Sequence, residues 1–181
     1  MATTDPKNIV LGVTGSIAAY KSAELVRLLV EEDWDVHVVM TRAATQFVGE
    51  LTFRTLSRNP VGTEMFGEQG EWSPEHIGLA DDAALLLIAP CTANVMAKMA
   101  HGIADALLTS IALATRAPIM IAPAMNGKMW EHPATRENVT KLQAWGATFI
   151  APEEGDLACG YEGIGKMAAP ESIVSAVAAK A

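Results

Sequence analysis

Three short stretches of this chain hold residue types that do chemistry. Ala122-Pro123-Ala124-Met125-Asn126-Gly127-Lys128-Met129-Trp130 follows directly on the apolar run 118–121, and in an open α/β sheet ligands bind just beyond the carboxyl ends of strands. The carboxamide of Asn126 offers two donors and one acceptor, enough to grip a planar carboxylate or amide. The same residue type also caps helices, and taken alone the segment reads as a turn in which Asn126 caps the next helix. Glu75-His76-Ile77-Gly78-Leu79-Ala80 supplies an imidazole that titrates near neutral pH, in a polar loop where a lone histidine is ordinarily just solvated. Ala158-Cys159-Gly160-Tyr161-Glu162-Gly163-Ile164-Gly165-Lys166-Met167 sets a thiol among glycines, where there is little core to join. Glycines there supply hinges and close backbone approach. Cys91, beside an apolar strand, takes the ordinary reading of a small buried hydrophobe. His37 and His101 read as structural, His132 as a helix-starting residue before Pro133, and most of Met96, Met99, Met125 and Met129 as core fillers.

Two further turns suit an anion. The first strand ends in Gly12-Val13-Thr14-Gly15-Ser16-Ile17-Ala18, and a later one is followed by Pro90-Cys91-Thr92-Ala93-Asn94. Small and hydroxyl residues at helix N-termini leave amide N–H groups and the positive end of the helix dipole free for a phosphate. Taken singly, Ser16, Thr92 and Asn94 are equally good helix caps. Gly-x-Gly-x-x-Gly is absent, and Met40-Thr41-Arg42 stands where a dinucleotide site would want a ribose-binding acid. A mononucleotide phosphate fits the pair of turns better.

The elements that must position these groups alternate. Short β-branched or apolar runs predict strands over 9–13, 35–40, 84–89, 118–122 and 147–150. Residues 84–89 are apolar throughout, as for a central parallel strand covered on both faces. Helical spacing predicts helices over 18–32 (with Ser16 as cap), 92–99, 104–114, 134–145 and after Pro170. Such alternation implies an α/β fold with a doubly wound parallel sheet. Residues 1–181 read as one domain with a core over about 8–175. The stretches 58–74 and 152–169 show no periodicity and read as loops. Loops this long are usually functional, and 152–169 has the glycine content of a substrate-binding flap.

Charge and composition narrow the class. Acidic residues outnumber basic ones 21 to 13, for a formal charge of −8, which argues against a nucleic-acid or membrane partner. Cys91 and Cys159 have no metal-ligand spacing, so no metal is expected, and they form no disulfide framework. With no signal-like or membrane-length apolar run, the expectation is a cytoplasmic protein.

In Thr14-Gly15-Ser16-Ile17-Ala18-Ala19-Tyr20-Lys21, Val38-Val39-Met40-Thr41, His76-Ile77, Leu79-Ala80, residues 89–94, Pro123-Ala124-Met125-Asn126, Met129-Trp130-Glu131-His132-Pro133 and the Cys159 segment, the chain resembles the homo-oligomeric flavin-containing cysteine decarboxylases. Coverage runs from Ile9 to about Ile173. The resemblance implies a flavodoxin-like, three-layer α/β/α fold, with FMN bound at a subunit contact of a homotrimer that can assemble into a dodecamer. By position it implies that Gly15, Ser16, Ile17, Thr41, Phe47 and Ala124 hold the flavin, and that Thr92, Ala93, Asn94 and Val95 hold its phosphate. His76 and Cys159 become catalytic; Asn126, Met129, Lys166 and Met167 bind substrate. The implied reaction is decarboxylation of phosphopantothenoylcysteine in coenzyme A biosynthesis. The thiol is oxidised to a thioaldehyde, carbon dioxide leaves, and the enethiol is reduced. No side chain supplies such an electron sink, so a cofactor must. Lys166 stands where many relatives carry Arg, and Gly78 where a larger or acidic residue is common. Many bacterial relatives are fused to a ligase that attaches cysteine; because the chain stops at Ala181, a separate ligase is expected. Rival readings are a peptidyl-cysteine decarboxylase, a flavin prenyltransferase, and a non-catalytic flavin-binding regulatory subunit.

Overall fold

The computed structural model describes residues 7–65, 75–156, 160 and 162–180. Five strands, β1 (Lys7–Val13), β2 (Trp34–Met40), β3 (Leu85–Cys91), β4 (Ile119–Pro123) and β5 (Thr148–Phe149), form a sheet in the order β2-β1-β3-β4-β5. Every neighbouring pair is parallel. The order reverses between β1 and β3, which makes that boundary the switch point where a doubly wound sheet opens a crevice.

The two-residue period of the strands splits the core into two layers. Ile9, Leu11 and Val13 of β1, with Leu85, Leu87 and Ala89 of β3, face α1 (Ala19–Glu31), α2 (Glu50–Ser57) and α8 (Pro170–Ala178). Val10, Leu86, Ile88 and Ile121 face the other way, onto α3 (Glu75–Asp82), α4 (Ala93–Ala100), α5 (Leu107–Ala114) and α7 (Pro133–Ala144). Burial on both faces explains why β3 carries no polar alternation. Gly12 is required here: a Cβ on it would come within 2.6 Å of Leu108 Cδ1, so α5 rests directly on β1.

Several expectations need correction. The stretch 152–169 is not a plain loop. It contains an antiparallel hairpin of β6 (Glu153–Asp156) and β7 (Glu162–Lys166), separate from the main sheet. His76 stands on a helix, α3, rather than in a loop, and α2 and α6 (Gly127–Glu131) were not predicted. Ser16 does not cap α1. The cap position is Ala18, with no side-chain bond, while Ser16 Oγ accepts the Ala18 N–H at 3.3 Å inside the preceding turn. Helix α5 begins three residues later than its periodicity suggested, because Ala106 is extended at φ −146°, ψ 159°. Within 58–74, Gly62 bridges to Val39 alongside β2, and residues 66–74 lie outside the described residues.

Candidate active site

A cleft of about 580 Å³ opens at the carboxyl ends of β1 to β4. Gly15 and Ser16 come from the turn after β1, Thr41 to Ala43 from the end of β2, Thr92 to Val95 from the start of α4, and Ala124 and Met125 from the end of β4. Met129 of α6, Lys98 of α4, and Asp105, Ala106 and Thr109 around the start of α5 complete the lining.

One buried hydroxyl joins the two anion-type turns. Thr14 Oγ1 donates to the Pro90 carbonyl at 2.7 Å and accepts the Thr92 N–H at 3.0 Å. Ser22 of α1 adds a bond from its hydroxyl to the Ala89 carbonyl at 2.8 Å. Thr92 caps α4 by accepting the Val95 N–H at 3.4 Å. The first two amides of α4, those of Ala93 and Asn94, show no partner among the described residues and stand at the cleft. They form a donor pair at the positive end of a helix, suited to a phosphate. Gly15 presses so closely on the 41–43 segment that a Cβ would lie 2.4 Å from Ala43 Cβ. The rest of the lining is largely apolar, through Ala43, Ala93, Val95, Ala124, Met125 and Met129.

Among the described residues, three charged side chains line the cleft: Arg42, Lys98 and Asp105. Lys98 Nζ donates to both carboxylate oxygens of Asp105, at 2.7 and 2.9 Å. That bond holds the Asp105 carboxyl below its ordinary pKa. Cys91 is buried at the end of β3, and burial pushes its thiol up to about 12, which removes it from proton chemistry.

Beside the cleft, the turn carrying Asn126 is fixed from two sides. The Ala124 N–H donates to the Cys91 carbonyl, and the Met125 N–H to the Gly165 carbonyl, both at 3.0 Å. The bond to Gly165 docks β7 onto the turn. Gly165 has φ +142°, and a Cβ there would lie 2.1 Å from the Met125 carbonyl oxygen. The hairpin base is tied as well. Lys21 Nζ donates to the Met167 carbonyl at 3.2 Å, and Glu153 Oε1 accepts the Ala169 N–H at 2.9 Å. Burial, with Lys166 adding to it, lowers the Lys21 pKa against the opposing pull of Glu153 and Glu171.

The cleft gathers Gly15, Ser16, Thr41, Thr92, Ala93, Asn94, Val95, Ala124 and Met129. Met129 is half exposed, not a core filler. Ile17 and Phe47 are exposed on segments bordering the cleft but do not line it. Asn126 adjoins the lining, and its Oδ1 accepts the Lys128 N–H at 2.9 Å, so it does cap α6. Its neighbours Met125 and Gly127 meet the hairpin at Gly165. His76 is half-buried on α3 and is not brought to the cleft within one chain. Lys166 is exposed at the end of β7, whereas the Met167 side chain belongs to the core. Cys159 lies outside the described residues. Arg42, Ala43, Lys98, Asp105, Ala106, Thr109 and Met125 were missed. Of these, Lys98 carries a signal in the sequence, its place one helical turn beyond Asn94. No cluster of His, Cys, Asp or Glu suited to a metal, and no helix long and apolar enough to cross a membrane, occurs among the described residues.

A crevice at the switch point, with a phosphate-type donor pair at one end and an apolar lining beyond it, defines a mononucleotide-binding doubly wound α/β protein. The chain belongs to the flavoprotein family, which it matches over residues 2–181. It is 44% identical to a probable phosphopantothenoylcysteine decarboxylase of Streptococcus mutans, covering 94% of this chain and 97% of that one. A solved PPC decarboxylase, a cysteine-to-serine variant complexed with pantothenoylaminoethenethiol, is 33% identical with TM-score 0.85, covering 97% and 98% of the two chains. A solved FMN-dependent cysteine decarboxylase is 31% identical with TM-score 0.84, over 98% and 99%. The chain is also 49% identical to the coenzyme A biosynthesis bifunctional protein of Bacillus subtilis over 93% of its length, but spans only 41% of that relative.

Proposed function

We propose that this chain is an FMN-dependent decarboxylase that converts 4′-phosphopantothenoylcysteine to 4′-phosphopantetheine in coenzyme A biosynthesis. The observation that carries the reading is the cleft itself, a phosphate-type donor pair and an apolar slot at the switch point, with a hairpin docked on the Asn126 turn beside it. Its volume lies within the range of small-molecule sites, and its lining fits a flat ring system better than a second nucleotide. Thr92, Ala93, Asn94 and Val95 would hold the phosphate of FMN, and Gly15, Ser16, Thr41 and Ala124 its ribityl chain and rings. Ile17, Phe47 and Met129, exposed at the cleft's edge, support assembly around the cofactor into a homotrimer or a dodecamer of trimers, since apolar side chains grouped at one edge favour a covered surface. A neighbouring chain would then bring His76 to the site.

Bound FMN would supply the two-electron acceptor that lets the substrate thiol become a thioaldehyde, and would return the same electron pair once carbon dioxide has left. The chain's own groups bind, orient and move protons. Asn126 orients the substrate carboxylate, with Met129, Lys166 and the backbone at Met167 closing over the substrate. His76 takes a proton or holds the carboxylate. Cys159 delivers a proton to carbon after carbon dioxide leaves. The reading also puts the protein's work in the cytoplasm.

Turnover of purified, FMN-loaded protein tests this, with phosphopantothenoylcysteine compared against a peptide ending in cysteine. Release of carbon dioxide and 4′-phosphopantetheine from the first is expected. Activity on the peptide alone would replace the reading by a peptidyl-cysteine decarboxylase, and flavin binding without activity on either by a regulatory subunit.

A further inference from the structure

The cleft's ion pair has a place that capping and packing do not explain. Lys98 and Asp105 both line it, and Lys98, in the last turn of the short helix α4, lies four residues beyond Asn94 on the face that also carries the unpartnered Ala93 and Asn94 amides at the helix start. Long side chains on a helix lean back toward its N-terminus, so the ammonium is carried toward the site where those amides would hold an anion. Asp105, in the connection between α4 and α5, grips it with both oxygens and keeps it at the cleft.

Charge accounting favours a ligand here. A phosphate monoester carries about −1.5 to −2 at neutral pH, and a helix N-terminus offers only about half a positive charge. Without Lys98, the Asp105 carboxylate would face that phosphate as a like charge. Lys98 cancels that charge, so the partial positive charge of the helix end is left to face the phosphate. Arg42, the other cation among the described lining residues, comes from the far wall at the end of β2.

Resting on the flavin reading above, we infer that Lys98, positioned by Asp105, is a cofactor-binding residue that recognises the phosphate of FMN and so selects FMN over riboflavin.

The test is the affinity of apoprotein for FMN and for riboflavin, followed by flavin fluorescence quenching. Removing a charge-assisted hydrogen bond should weaken FMN binding by about ten- to a hundredfold. Lys98→Met should therefore lose FMN affinity on that scale and keep riboflavin affinity, while Lys98→Arg stays within a fewfold of wild type. Lys98→Met with Asp105→Asn should recover part of the FMN loss, because the uncompensated carboxylate is gone. Equal loss for both flavins in Lys98→Met would make the pair structural and overturn the inference, as would unchanged FMN affinity or a double variant no better than Lys98→Met. Wild-type protein that bound neither flavin would instead sink the flavin reading itself, and the inference with it.

Discussion

Gly165→Ala is the sharpest perturbation that the site geometry offers. At φ +142° the backbone sits where side-chain-bearing residues store about 1–3 kcal/mol of strain. The new Cβ would also meet the Met125 carbonyl oxygen at 2.1 Å, and that oxygen is backbone anchored to the end of β4, not a flexible side chain. The hairpin's escape is to lift off the Asn126 turn. Lifting gives up the bond from the Met125 N–H to the Gly165 carbonyl, about 1 kcal/mol, and the packing of the partly buried Ile164. By either route the docked state loses about 2–3 kcal/mol, a change of about 30- to 150-fold in the docking equilibrium constant. No described residue of the hairpin lines the cleft, so FMN affinity should stay within about threefold while kcat/KM for phosphopantothenoylcysteine falls by up to that larger factor. Steady-state carbon dioxide release beside a flavin titration measures both. Undiminished kcat/KM, or flavin lost in parallel with activity, would refute the docking account.

Other expectations follow from single contacts. Thr14→Val strips two buried backbone groups of their partner, the Pro90 carbonyl and the Thr92 N–H. It should cost about 2–5 kcal/mol by urea unfolding and weaken FMN binding, and a change under about 0.5 kcal/mol would contradict it. Lys21 is lowered below its ordinary 10.5 in the folded chain, so between its folded pKa and 10.5 the unfolded chain binds more protons and stability rises with pH. The urea midpoint of wild type relative to Lys21→Met should therefore move in favour of wild type as pH climbs toward 10.5. Cys91, with its thiol near 12, should resist alkylation in folded protein at mildly alkaline pH and react only after denaturation, as peptide mass spectrometry would reveal. Asn126→Asp sets a like charge against the substrate carboxylate, and His76→Asn removes the imidazole. Each should retain flavin absorbance yet release almost no carbon dioxide, and loss of flavin would move that residue to folding or cofactor binding.

The sequence disclosed what is written in local periodicity. β1 and β3 stand out because burial on both faces leaves unbroken apolar runs, and α1 because one face is apolar at helical spacing. Helix α2 buries only Phe53 and Ser57, and α3 is eight residues with a glycine inside, so neither writes a pattern long enough to read. The hairpin is hidden for another reason: its strands pack on the Asn126 turn through backbone bonds, leaving glycines where an apolar alternation would be. The anion turns were legible because hydroxyl and small residues cluster at strand ends. Asp105 was not, since its role depends on Lys98 reaching it across the α4–α5 connection.

The proposed proton delivery by Cys159 is the step where an oxidative decarboxylase would part from any simple flavin-binding protein, and the products of Cys159→Ser test it most directly. With FMN and phosphopantothenoylcysteine, mass spectrometry of the reaction mixture should show the decarboxylated enethiol, lacking a pair of hydrogens relative to 4′-phosphopantetheine, while wild type makes 4′-phosphopantetheine. Normal product at the normal rate from Cys159→Ser, or no decarboxylation by wild type with FMN bound, would contradict the account.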